Sequence, residues 1–118
     1  MRDLYIEFLA EAECLFQSEY YAGAVSRTYY SILHYMTMIV EKKDKVYFDR
    51  IDQSKIRERY RDITGCKTDI NKFKKFRELC DYERNDKKRK TSKLFLINIL
   101  SEMNKFLQQQ QQLNSRPE

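Results

Sequence analysis

A chain of 118 residues, 42% hydrophobic and 35% charged, suffices for one domain with a single modest core. Its two glycines and one proline supply too few turn formers for a many-stranded β fold and favour long helices. The formal net charge of +5 permits an acidic partner without demanding one, because charges of both signs interleave over most of the chain.

In chain order, residues 2–18 predict a first amphipathic helix. Tyr5, Phe8, Leu9, Ala12, Leu15 and Phe16 follow the i, i+3, i+4 rule, and Glu7, Glu11 and Glu13 take other faces. Gln17-Ser18-Glu19 reads as a joint, with Ser18 placed to cap the second helix. The run from Tyr20 to Glu41 is the most apolar and aromatic in the chain. Ala22, Val25, Tyr29, Ile32, Leu33, Met36, Ile39 and Val40 mark one side of a helix, while Tyr30, Tyr35 and Met38 point elsewhere. A helix apolar on more than one side is central, or is shared with a second subunit. A charged run, Glu41 to Lys45, ends it. Val46 to Asp49 reads as a loop.

A third helix is predicted over Ser54 to Ile63 on Ile56, Tyr60 and Ile63, with Gly65 as its C-terminal cap. Thr68 or Asp69 opens a fourth, whose buried positions are Ile70, Phe73, Phe76, Leu79 and Cys80. That pattern fades at Asp81. Residues 83–93, which contain no apolar side chain, read as a solvated basic loop, and Thr91 or Ser92 caps a last helix. There Leu96, Ile99, Leu100, Met103, Phe106 and Leu107 form one stripe, with Phe95 and Ile97 off it. The expected fold is an all-α, antiparallel bundle of four to five helices over residues 1–110. The polar residues 111–118 are expected to form a disordered tail.

No stretch reaches the ~18 uninterrupted apolar residues of a membrane span, and the opening Met1-Arg-Asp-Leu-Tyr does not begin a signal peptide. Cys14, Cys66 and Cys80 are widely spaced with no C-x-x-C pair, which fits free thiols in a reducing cytoplasm better than a disulfide frame or a zinc site. With one histidine and no glycine-rich loop, the residues support neither a metal nor a nucleotide cofactor of the P-loop or dinucleotide type. The near-neighbour carboxylates, Glu11 with Glu13 and Asp81 with Glu83, diverge on a helix.

Two features bear on binding. Arg27 and His34, seven apart, share a helix face and sit roughly 10 Å from each other along the axis, far for joint work on one phosphate. The plainer reading gives Arg27 a carboxylate or a helix end, and His34 a hydrogen bond in the core. The basic run from Arg84 onward suits a nucleic-acid backbone, with Tyr82 beside it able to stack on a base.

Two segments resemble HEPN domains. Tyr21-x-x-Ala24-Val25-x-Arg27-x-Tyr29-Tyr30-x-x-x-His34 is similar to the signature helix of small stand-alone members, and Arg77-Glu-Leu-Cys80-Asp81-Tyr82 resembles their R-x-x-A-D-Y element. The resemblance spans about residues 2–110. It implies an all-α homodimer in a prokaryotic defence or toxin–antitoxin setting, where several members pair with a small nucleotidyltransferase. Active members are metal-independent endoribonucleases that carry R-x(4–6)-H. Here Arg77 is followed at those spacings by Tyr82, Glu83 and Arg84, so the proton-transfer histidine is absent. The resemblance then implies a non-catalytic domain that binds a protein, RNA or a nucleotide. Arg77, Tyr82, Arg84, Asn85, Lys87, Lys88, Arg89 and Lys90 form the ligand-facing set, and Arg27 and His34 are structural. Arg77 and Tyr82 are the residues to consider for any residual ribonuclease activity. A purely structural subunit of a larger complex is the third reading.

Overall fold

A computed structural model describes residues 4–85 and 92–115. Among them the chain is all-helical, with five helices: α1 (Leu4–Gln17), α2 (Tyr21–Asp44), α3 (Gln53–Thr64), α4 (Asn71–Asn85) and α5 (Lys93–Asn114). No helix among the described residues is long and apolar enough to cross a membrane.

Helix α2 is the hub. Each of the other four helices packs on it, and no other pair packs as closely. Its composition explains this, because buried residues occur on every side: Ala24, Val25, Tyr29, Ile32, Leu33, Tyr35, Met36 and Val40. Thr28 and Thr37 are buried as well, and each donates its hydroxyl to the carbonyl four residues back, Ala24 and Leu33. This leaves no orphaned hydroxyl at either position. Ser31 donates instead across the interface, to the Tyr5 carbonyl of α1 at 2.7 Å. At Gly23 an added Cβ would stand 3.3 Å from Leu15 Cδ1, so the absence of a side chain there lets α1 lie close against α2.

Scarcity of glycine leaves its mark on the helix ends. The α1–α2 joint is a Schellman-type turn, with Tyr20 N–H bonded to the Leu15 carbonyl at 2.8 Å and Glu19 N–H to that of Phe16 at 3.0 Å. Its left-handed position is held by Glu19 at φ 65°, and that after α2 by Lys45 at φ 55°. Only α3 ends on a glycine, Gly65 at φ 70°, as the sequence predicts. Ser18 does not cap α2. The N-cap is Tyr20, without a side-chain hydrogen bond, because the turn is closed by backbone bonds from α1. The predicted caps at the other starts are present: Asp69 accepts from Asn71 N–H and Ser92 from Phe95 N–H.

Three boundaries differ from expectation. Helix α2 runs through the charged residues to Asp44, where Arg59 of α3 meets Asp44 with two hydrogen bonds of 2.8 and 2.7 Å. Helix α4 continues past Asp81 to Asn85, so the first residues of the expected basic loop are helical. Helix α5 extends to Asn114, four residues into the expected tail, because Gln110 and Asn114 bond to tyrosines of the core. The α5 stripe predicted from sequence, Leu96 to Leu107, is buried throughout. Ile70, just before α4, and Phe73 and Cys80 within it are buried. Leu79, expected to be buried, is 38% exposed.

Candidate functional site

The two stretches that carry the family resemblance meet in space. Arg77 of α4 lies across the rings of Tyr29 and Tyr30 of α2, its guanidinium carbon 5.4 and 5.7 Å from their centroids. Such stacking holds a cation over aromatic faces that are rich in electron density. Arg77 and Asp81 share a face of α4, one turn apart, and Arg77 Nη1 donates to Asp81 Oδ2 at 3.1 Å. Glu78 Oε1 is 3.9 Å from Nη2. The Arg77 side chain is only 17% exposed. Its Nε is buried without a hydrogen-bond partner.

Tyr29 stands at the centre of this arrangement and is fully buried. Its hydroxyl donates to Gln53 Oε1, in the first turn of α3, at 2.5 Å. Arg57 lies one turn further along α3, and its charge acts on the same hydroxyl. Burial raises the Tyr29 pKa above its ordinary value of 10.0, while the charges of Arg57 and Arg77 pull it down. The hydroxyl is therefore neutral near pH 7, held by Gln53 while Arg77 covers the ring. Arg57 is half-buried, and its Nη1 is a second buried nitrogen without a partner. Sequence reading does not single out Arg57, Gln53 or Tyr29 as site residues. In the segment QSKIRERYRDI, Arg57 is one of three arginines beside the apolar stripe, and only the docking of α3 on α2 separates it from Arg59 and Arg61.

Arg27 and His34 lie on the α1 side of α2. Arg27 Nε pairs with Glu11 at 3.3 Å, and both side chains are about half exposed, so the pair contributes little. Its guanidinium also lies 5.9 Å from the centre of the Phe8 ring. His34 stacks on Phe8 with centroids 5.0 Å apart. The ring is thus held by an aromatic face of α1, where the sequence suggested a core hydrogen bond. Burial lowers its pKa from the ordinary 6.5, with Glu41 acting weakly in the other direction, so it is biased toward the neutral form.

Lys87, Lys88, Arg89 and Lys90 lie outside the described residues, as do the side chains of Tyr82, Arg84 and Asn85. Among the described residues no group of three His, Cys, Asp or Glu side chains is placed to hold a metal ion. Close to the site, Phe76 and Phe95 meet edge-on at 6.3 Å. Phe95, Leu79 and Leu94 are 43%, 38% and 68% exposed. No family model matches the chain, and no curated protein or solved structure matches it either.

Proposed function

We propose that this chain is a HEPN-like helical domain that binds RNA or a nucleotide through phosphate and does not turn it over. The observation that carries this reading is Arg77, laid on two tyrosines of the signature-like helix and holding a buried Nε without an acceptor. Arginine in a fixed aromatic seat presents a planar fork of donors suited to phosphate. Two features favour binding over cleavage. The segment after Arg77 lacks a histidine, and the chain's one imidazole is stacked on Phe8 of α1, whereas Arg77 reaches α2 from α4. General acid–base catalysis requires a proton carrier within hydrogen-bond reach of the reacting oxygen.

The exposed apolar side chains of Leu79, Leu94 and Phe95 support a homodimer, since unpartnered apolar surface favours association. By resemblance, the setting is a cytoplasmic toxin–antitoxin or antiviral system of prokaryotes, with a nucleotidyltransferase as a partner to test.

Fluorescence anisotropy with labelled single-stranded and hairpin RNA, across a salt series, tests the reading. Binding should weaken steeply with salt, fall in Arg77→Ala, and leave the RNA intact with or without EDTA. Cleavage that persists in EDTA and disappears in Arg77→Ala would establish the ribonuclease alternative. A salt-insensitive dimer without RNA affinity would establish a structural subunit. The dimer itself is refuted by a monomeric sedimentation profile at roughly tens of micromolar.

A further inference from the structure

Of the two tyrosines that carry Arg77, Tyr29 has its hydroxyl engaged by Gln53. The hydroxyls of Tyr5, Tyr35 and Tyr60 are hydrogen-bonded as well. That of Tyr30 forms no hydrogen bond among the described residues. It is open to solvent, since the buried side-chain polar atoms without a partner belong to Arg57 and Arg77. The Tyr30 ring, in contrast, is fixed. Phe8 of α1 lies against it with centroids 5.9 Å apart, Tyr29 meets it edge-on at 5.6 Å, and the Arg77 guanidinium carbon is 5.7 Å from its centre. A phenylalanine would fill the same space and keep the stacking on Arg77, so packing does not explain the hydroxyl.

The charges around Arg77 show where a neutral donor matters. A guanidinium has five N–H donors. In Arg77, Nη1 donates to Asp81 and the buried Nε has no partner. Glu78, 3.9 Å from Nη2, is offset by Lys74 Nζ at 3.8 Å. The four charges of Lys74, Arg77, Glu78 and Asp81 cancel, so an anion that reaches Arg77 gains little from net attraction and depends on directed donors beside it. A hydroxyl on a ring already held by three contacts is such a donor, and its fixed place lowers the ordering cost of binding.

We propose that Tyr30 is a second ligand-contacting residue of this site, its hydroxyl donating to an oxygen of the phosphate that Arg77 binds. This inference rests on the phosphate-binding reading above and adds to it a named neutral donor. The two groups form one pair in direct contact, since Arg77 packs on the ring that carries the hydroxyl. Tyr29 and Tyr30 then divide the work. The Tyr29 hydroxyl ties α2 to α3 through Gln53, and the Tyr30 hydroxyl is left for the ligand.

The test removes one oxygen atom at a time from the full chain. Affinity for labelled single-stranded RNA and the urea unfolding midpoint are measured for the wild type, Tyr30→Phe, Tyr29→Phe and Arg77→Gln. Tyr30→Phe should leave the midpoint unchanged and weaken RNA binding roughly 10- to 100-fold, the effect of losing a hydrogen bond to a charged group. Tyr29→Phe should do the opposite, lowering the midpoint while changing affinity by less than about twofold. Unchanged affinity in Tyr30→Phe overturns the proposal, as does an equal loss of affinity in the two tyrosine variants. If Tyr30→Phe does not fold, the ring signals of isotope-labelled tyrosine in the wild type decide, because sodium phosphate should shift those of Tyr30. Shifts confined to other tyrosines overturn the contact. RNA binding that needs Arg77 and is indifferent to the Tyr30 hydroxyl removes the contact and leaves the RNA reading. A phosphate-induced shift of Tyr30, in a protein that does not bind RNA, does the reverse.

Discussion

Two tyrosine-centred polar clusters sit against α2, and they differ in how far their polar atoms are satisfied. At the C-terminal end of α5, Tyr60 donates to Gln110 Oε1 at 2.5 Å and Tyr35 donates to the Gln110 carbonyl at 3.2 Å. Asn114 Nδ2 closes the cluster by donating to both hydroxyls at 3.0 Å. Tyr5 joins from α1, edge-on to Tyr35 with centroids 5.1 Å apart, and its hydroxyl accepts from Gln111 at 3.5 Å. The members are uncharged, and donors meet acceptors. Around Tyr29 the hydroxyl is likewise bonded, but Arg77 on its ring and Arg57 of α3 each keep a buried nitrogen without a partner. A satisfied neutral cluster fixes the packing of its helices, whereas buried donors without acceptors lower stability.

The comparison can be broken experimentally, beginning with the largest effect. Tyr60→Ala removes a fully buried ring together with the centre of the closed cluster. The expected loss is about 3–5 kcal/mol, the range for deleting a buried aromatic, read from urea unfolding. A loss below about 1 kcal/mol would show that this end of the bundle is loosely packed. Gln110→Leu keeps the volume and removes the acceptor for Tyr60. The expected loss is ~1–3 kcal/mol, because the buried Tyr60 hydroxyl still accepts from Asn114 but its proton is left without an acceptor. A neutral result would mean that the glutamine run holds its place by apolar packing alone.

Arg57→Leu should behave in the opposite way. Removing a half-buried charge that forms no ion pair among the described residues leaves stability within about 0.5 kcal/mol of the wild type, or raises it. A destabilisation as large as that of Gln110→Leu would make Arg57 a structural residue and remove the contrast between the clusters.

The smallest effect is a pH dependence. Burial raises the pKa of Tyr60 and of Tyr29 above 10.0. Each folded hydroxyl therefore keeps its proton at pH values where the unfolded chain releases it. The stability this provides is complete below pH 10.0 and declines as the pH rises beyond it. At Tyr29 two arginines oppose burial, so Tyr60→Phe should flatten the alkaline decline more than Tyr29→Phe does. Unfolding free energies at about pH 8, 10 and 11, spanning the ordinary tyrosine range, provide the check. An equal effect of the two substitutions would place the arginines too far from Tyr29 to act on it.

Much of the architecture is written in local sequence. The all-round apolar character of Tyr20 to Glu41 marks α2 as central because a helix buries whichever faces are apolar. The stripe from Leu96 to Leu107 and the caps at Gly65, Asp69 and Ser92 depend only on residue spacing and backbone chemistry. What misled was polarity read without partners. Gln110 and Asn114 look like part of a polar, solvated end, and belong to the bundle because Tyr35 and Tyr60, 75 and 50 residues from Gln110 in sequence, provide their hydrogen bonds. Ser18 looks like a cap and is not one, since the Schellman-type turn uses backbone donors in its place.

The candidate site divides along the same line. Arg77 can be found in sequence because it belongs to a motif-like segment, and its one-turn spacing to Asp81 makes their ion pair foreseeable. Arg57 cannot, because its neighbours in sequence are as charged as it is. Its distinction, a buried Nη1 without a partner among the described residues, exists only once α3 docks on α2. Helical periodicity thus determined which segments fold and which faces they bury. The docking of α3 and α4 on α2 decided which charges are left unbalanced, because burial and ion pairing are properties of the assembled bundle and not of any one helix.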